Sequence, residues 1–109
     1  PPMLSSTEGV SLLPACGPVI GIIPGASYRS ESLNLKPNDL IFLCTDGITE
    51  SQNPEGQEFG EDGAREFLAK NGEIGVEDLS QLLEEHIREF THGPAPIDDS
   101  TIIFVRRVA

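Results

Sequence analysis

Three features of the sequence predict an α+β fold. Two short runs, Leu40 to Thr45 and Thr101 to Val108, are apolar at most positions, as strands covered on both faces are. Between them lie two segments with helical periodicity, about Glu61 to Lys70 and about Glu77 to Thr91. The 11 Gly and 9 Pro punctuate the chain with turns, and 109 residues allow one domain at most.

Taken in order, Gly9 to Leu13 reads as a strand and Gly17 to Gly25 as an irregular apolar connection. Ser27 to Leu35 alternates loosely, with Tyr28, Leu33 and Leu35 as its apolar members, and is expected to be a strand. Lys36-Pro37-Asn38-Asp39 is a turn: Pro37 presets φ, and Asn38 tolerates the left-handed conformation of a type II turn. A hairpin into the Leu40 strand is therefore expected. Asp46-Gly47 ends that strand, and Asn53-Pro54-Glu55-Gly56 is a second turn, with Pro second and Gly fourth. The first helix has Glu61 and Asp62 in its first turn and Gly72 just past its end. The second aligns Leu79, Leu82, Leu83, His86, Ile87 and Phe90 on one face, and Gly93-Pro94 stops it. His86 is accordingly expected in the core. His92, at the helix end, suits the helix dipole and needs no catalytic role.

Composition excludes several functions. With 7 Lys+Arg against 18 Asp+Glu the formal charge is −11, so neither a nucleic-acid surface nor an anionic-membrane surface is expected. Arg106-Arg107 is too short to make a basic cluster. The apolar stretch Leu12 to Ala26 is broken by Pro14, Pro18 and Pro24, which argues against membrane insertion as a helix. Cys16 and Cys44 lie far apart, with no His or second Cys at metal-ligand spacing. Cys44 reads as a free buried thiol, and a reducing, cytoplasmic setting is expected. No signal peptide is visible, and an opening Pro1-Pro2 in place of Met suggests a piece cut from a longer chain.

The informative positions are Asp46 and Asp98. Each acid sits at the end of a strongly apolar run, Asp46 just after one and Asp98 just before the other. If the two strands are antiparallel neighbours, both carboxylates reach one rim of the sheet. There they would share a proton or bind a hard cation such as Mg²⁺ or Mn²⁺. The alternative is a pair of turn acids with no chemistry. Ser51, Asn53, Glu55, Gly56 and Asp62 follow a calcium-loop spacing only in part, since the leading Asp and closing Glu are missing. Gly17, Gly21 and Gly25 fit neither a dinucleotide fingerprint nor a phosphate loop, and no nucleophile elbow is present.

The run Leu35-Lys36-Pro37-Asn38-Asp39-Leu40, continued by Thr45-Asp46-Gly47-Ile48-Thr49-Glu50, resembles a known signature. It is similar to the L-x-P-G-D-L…T-D-G-hydrophobic-T-E motif of the SpoIIE-like branch of the metal-dependent (PPM, type-2C) serine/threonine protein phosphatases. Asn53 to Gly60 resembles the N-P-x-G-x-x-F-G segment that follows it, and Asp98 to Ile103 the closing D-D-x-T motif. Gly17-Pro18-Val19-Ile20-Gly21-Ile22 is similar to G-x-P-L-G-I, and Asn38 departs from the usual Gly. The resemblance implies an αββα sandwich of which residues 1–109 form the C-terminal half, beginning mid-domain. It implies a hydrolase of bacterial signalling that uses two Mn²⁺ or Mg²⁺ ions, with Asp46 and Asp98 as metal ligands. Asp99 would be a second-shell or third-metal candidate, Gly47 the small residue giving Asp46 room, and Thr45 and Thr101 supports acting through hydrogen bonds. The early Gly-Gly-Asp type motif, whose Asp bridges the two metals, belongs to the N-terminal half and is not in this chain. Weak or no metal binding and no turnover are therefore expected of the chain alone. So are oligomers, strand exchange or association with that other half. The expected substrate is a phosphorylated signalling protein of the anti-sigma-factor antagonist type. The competing readings are a non-catalytic regulatory domain with the same fold, and a small acidic protein-binding piece.

Overall fold

The two apolar runs that flank the helical segments pair with each other. In the computed structural model, which describes residues 2–93 and 99–109, four strands form an antiparallel sheet. They are β1 (Met3–Ser6), β2 (Gly9–Leu12), β3 (Leu40–Cys44) and β4 (Ile102–Arg106), in the spatial order β2-β1-β3-β4. The register sets Phe42 opposite Phe104 and Cys44 opposite Ile102. It also sets Met3 opposite both Leu12 and Phe42. The one-turn helix α1 (Asp46–Thr49) follows β3, and α2 (Gly60–Asn71) and α3 (Val76–Thr91) fill the stretch before β4.

Alternation along the strands decides which side chains meet the helices. Met3, Leu40 and Phe42 are buried, and Ile102 and Phe104 pack beside them, the Phe42 and Phe104 rings 5.0 Å apart. Against this row lie Ala64, Phe67 and Leu68 of α2 and Leu79, Leu83 and Ile87 of α3, spaced three and four apart as a helix face requires. Both helices begin within a residue of their expected starts, and α3 ends at Thr91. It stops where His92 turns left-handed at φ 55°.

The expectation that both strands are covered on both faces is corrected. Leu43 is exposed, and Ile103 and Val105 are each 47% exposed, because α2 and α3 lie on one face of the sheet only. His86 is also corrected. It is an exposed residue whose ring lies at the edge of the core, 5.5 Å from Phe67 and 5.8 Å from Phe59.

The strand expected over Ser27 to Leu35 is absent, and with it the hairpin into β3. Both ladders of β3 are already taken, by β1 and β4, so a segment arriving from residue 35 has no edge of β3 to join. Ser, Arg, Glu and Asn at its remaining positions add little strand propensity of their own. Residues 13–39 instead make one long loop, pinned at its base by the Leu13 amide donating to the Pro2 carbonyl (2.8 Å). The Arg29 amide closes its neck onto the Cys16 carbonyl (2.9 Å), and Tyr28 packs over Gly17, where any Cβ would collide with the ring. The expected turn is present at the end of this loop. Asn38 has φ 73°, the Asp39 amide donates to the Lys36 carbonyl (3.0 Å), and the Asp39 carboxylate accepts from the Lys36 amide (2.9 Å).

Arg106 ties the far end of the sheet to the helices. Its guanidinium donates to the carbonyls of Asn38 (3.0 Å), Gly72 (2.5 Å) and Ile74 (2.9 Å), joining the Pro37 turn to the loop that closes α2. Its Nε is buried without a partner. Arg107 serves the chain itself too, donating to the Ala109 and Leu35 carbonyls.

Candidate functional site

The site grows from the point where β3 stops being a strand. Thr45 holds the N-cap position of α1, where a hydroxyl ordinarily accepts an amide of the new helix. Here it does not. The Ile48 amide is met by the Thr45 carbonyl (3.1 Å), and Thr45 Oγ1 accepts the Thr101 amide instead (3.0 Å). The Thr45 amide donates to the Thr101 carbonyl (3.1 Å), so the pairing of β3 with β4 continues one step past the regular ladder. Gly47 then passes directly under the Asp99 carbonyl, and a Cβ built on it would lie 2.5 Å from that oxygen. Because the obstacle is backbone, no side-chain rotation relieves it. The residue here has to be glycine.

A side chain weighed from the sequence only within the partial calcium-loop spacing completes this turn. Ser51, buried at 8% exposure, donates from Oγ to the Gly47 carbonyl (2.9 Å) and its own carbonyl accepts the Phe59 amide (2.7 Å). The signal was legible: a serine four residues beyond Gly47 is at the spacing for bonding back to the i−4 carbonyl.

The antiparallel pairing of β3 with β4 brings residues 45–47 and 99–101 to one rim. Asp46 and Asp99 are both exposed there. Asp98, the other expected ligand, lies outside the described residues. Among the described residues no group of three or more His, Cys, Asp or Glu is arranged to hold a metal ion. Cys44, one step inside the rim, is a free thiol pushed up from its ordinary pKa by burial, with the Asp46 carboxylate adding to the effect. The partial calcium-loop spacing resolves into a turn. Asn53 Oδ1 accepts the amides of Glu55 (3.1 Å) and Gln57 (2.8 Å), and the Gly56 amide returns to the Asn53 carbonyl (2.9 Å).

The sequence model of the Stage II sporulation protein E (SpoIIE) family matches residues 1–108. The chain belongs to the SpoIIE family. Protein IcfG of Synechocystis sp. is 30% identical over 108 residues, which are 98% of this chain and 17% of that protein. Among solved structures, the SiaA-PP2C domain of Pseudomonas aeruginosa superposes with a TM-score of 0.78 at 21% identity, over 96% of this chain and 42% of that one. The phosphatase domain of the cell fate determinant SpoIIE from Bacillus subtilis, in a crystal form without domain swapping, gives 0.67 at 26% identity, over 97% and 45%. This SpoIIE-family chain thus spans under half of the solved domains it resembles and under a fifth of IcfG. Its four-stranded antiparallel sheet with helices matches part of the PP2C-type phosphatase fold. Among the described residues no helix is long and apolar enough to cross a membrane.

Proposed function

We propose that residues 1–109 are the C-terminal half of a metal-dependent phosphoserine/phosphothreonine phosphatase domain, and that the complete domain is the enzyme. The observation that carries this reading is the rim itself: the Thr45-Asp46-Gly47 turn and the Asp99-Ser100-Thr101 segment are hydrogen-bonded together, Thr45 to Thr101 across 56 residues of sequence. Two motifs that matter only as a pair are in contact.

The donor set suits hard divalent cations. Carboxylate oxygens favour Mg²⁺ and Mn²⁺ over softer ions, and Asp46 presents its carboxylate at the exposed rim. Asp46 and Asp98 would hold the ions, with Asp99 beside them as a support or a ligand to a third. When bound, Mn²⁺ or Mg²⁺ neutralises charge on the phosphoryl group and lowers the pKa of the attacking water. The chain's own residues provide the frame. Gly47 lets the Asp99 backbone approach, Ser51 fixes the carbonyl of Gly47, and Thr45 with Thr101 closes the seam. The substrate would be a phosphorylated signalling protein of the anti-sigma-factor antagonist type, and the setting cytoplasmic.

The bare face of β3 and β4 fits this reading. Ile41, Leu43, Ile103 and Val105 form an apolar row, and in a sandwich the other half of the domain would cover it. The test is Mn²⁺-dependent turnover of a phosphoprotein by the complete domain and its variants. Asp46→Asn and Asp98→Asn should each nearly abolish turnover, roughly 100-fold or more, because Asn keeps the shape and loses the charge. Asp99→Asn should cost a modest factor, since successive side chains on an extended chain point apart. Equal, small losses at all three acids would favour the non-catalytic regulatory reading. A larger loss at Asp99 than at Asp98 would put the ligand assignment one residue out.

A further inference from the structure

We infer that Thr45 is the positioning residue of the rim: its hydroxyl, withdrawn from capping α1, fixes the Asp99–Thr101 segment against the Asp46 turn and so sets the metal affinity of the site. The inference rests on the proposed metal-dependent reading and adds a residue that acts through others. It starts from a bond that is not made. A threonine at an N-cap normally spends its hydroxyl on its own helix, which stabilises that helix. In α1 that bond is absent, and Thr45 Oγ1 accepts the Thr101 amide at 3.0 Å across 56 residues of sequence.

Three contacts converge on this seam, and they differ in kind. The Thr45 amide to Thr101 carbonyl bond (3.1 Å) is backbone and survives any substitution at position 45 other than proline. The close passage of Gly47 beneath the Asp99 carbonyl limits approach from one side, as a wall does. Only the Thr45 hydroxyl ties the segment to the turn through a side chain. With it in place the Asp99–Thr101 backbone is trapped between a steric stop and a hydrogen bond. Without it the stop and the backbone bond remain but the Thr101 amide has lost its acceptor, so the acid-bearing segment is held less firmly against the Asp46 turn. Partners that orient ligands in this way commonly change metal affinity 10–100-fold when removed.

Thr45 and Thr101 are both exposed, so changes at position 45 leave the core untouched. The experiment uses the complete domain with Thr45→Val, which keeps the shape and removes the acceptor, and Thr45→Ser, which keeps the acceptor. Hydrogen exchange at the Thr101 amide is measured without metal, and Mn²⁺ binding by titration calorimetry. Expected are a protected Thr101 amide in the wild type, exchange at least about tenfold faster in Thr45→Val, Mn²⁺ affinity lower by about tenfold or more, and near-complete rescue of both by Thr45→Ser. Exchange at Thr101 that is fast already in the wild type, or unchanged in Thr45→Val, would overturn the inference. Faster exchange with Mn²⁺ affinity intact would overturn it too, since the seam would then be structural alone. If the wild-type domain binds no Mn²⁺, the metal-dependent reading fails and takes the affinity claim with it. The exchange data then still decide whether the hydroxyl holds the segment.

Discussion

The two faces of β3 and β4 are made of the same kinds of residue and have opposite fates. On one face Leu40 and Phe42 are buried, 0% and 2% exposed, with Phe104 packed beside them under α2 and α3. On the other, Ile41, Leu43, Ile103 and Val105 follow the same alternation, yet Ile41 is half-buried and the other three are exposed. Apolar content therefore does not by itself say where the core of this chain is. A run that is apolar at every position specifies two covering layers, and the helices between β3 and β4 supply one. The second face is not a solvent-adapted surface, because nothing polar alternates into it.

The strongest way to test this contrast is a pair of truncations one residue apart. Phe42→Ala removes a buried ring facing Phe104 and should cost about 3–5 kcal/mol, enough to unfold a small domain. Leu43→Ala, on the open face, should cost less than about 1 kcal/mol. Urea titrations of the two variants read the difference. Similar losses would mean that the open face is covered in solution.

Next in size is Arg106, in the inward row of β4. Arg106→Met keeps much of the stem and leaves the carbonyls of Asn38, Gly72 and Ile74 without their shared donor, so a loss of about 2 kcal/mol is expected. The loss should be smaller than that of Phe42→Ala because the orphaned Nε disappears with the guanidinium. Thermal melts would check it.

The smallest effect on folding, and the most telling one on association, belongs to the open face. Ile103→Thr with Val105→Thr should change the stability of this chain by under about 0.5 kcal/mol. The same pair should reduce its self-association, measured by light scattering, because an open apolar face beside a free β4 edge invites a second chain. In the complete domain the pair should instead be strongly destabilising. Indifference in both settings would remove the case for a second layer.

Legibility in the sequence divides along these same lines. Helix spacing at Leu79, Leu83 and Ile87, and turn chemistry at Pro37-Asn38 and Asn53 to Gly56, are local, and the structure has them where the residues put them. The strand expected at Ser27 to Leu35 failed for a non-local reason, since pairing depends on a free edge and β1 had already taken it. Coverage of the strands failed similarly, because a sequence states that a face is apolar without stating what lies over it. At the rim, the meeting of the Asp46 turn with residues 99–101 followed from the pairing of two apolar strands, and the Ser51 bond is local, whereas the diverted Thr45 hydroxyl depends on a partner 56 residues away.

The long loop has a consequence for how the chain tolerates being cut. Its tip, with Val19, Ile20, Ile22 and Ile23 exposed between Gly17 and Gly25, is where a protease would enter. A nick there separates β1 and β2 from everything that follows, yet the cut ends are not what joins the two pieces. Met3 would still pair with Phe42 and sit in the core, Leu4 and Ser5 would still face Ile41 and Leu40, and the Arg29 amide would still rest on the Cys16 carbonyl. The nicked protein should elute as one species under native conditions and as two in denaturant. In that sense the peptide bond at the tip of the loop is dispensable, and the chain behaves as two complementary pieces that happen to be covalently joined.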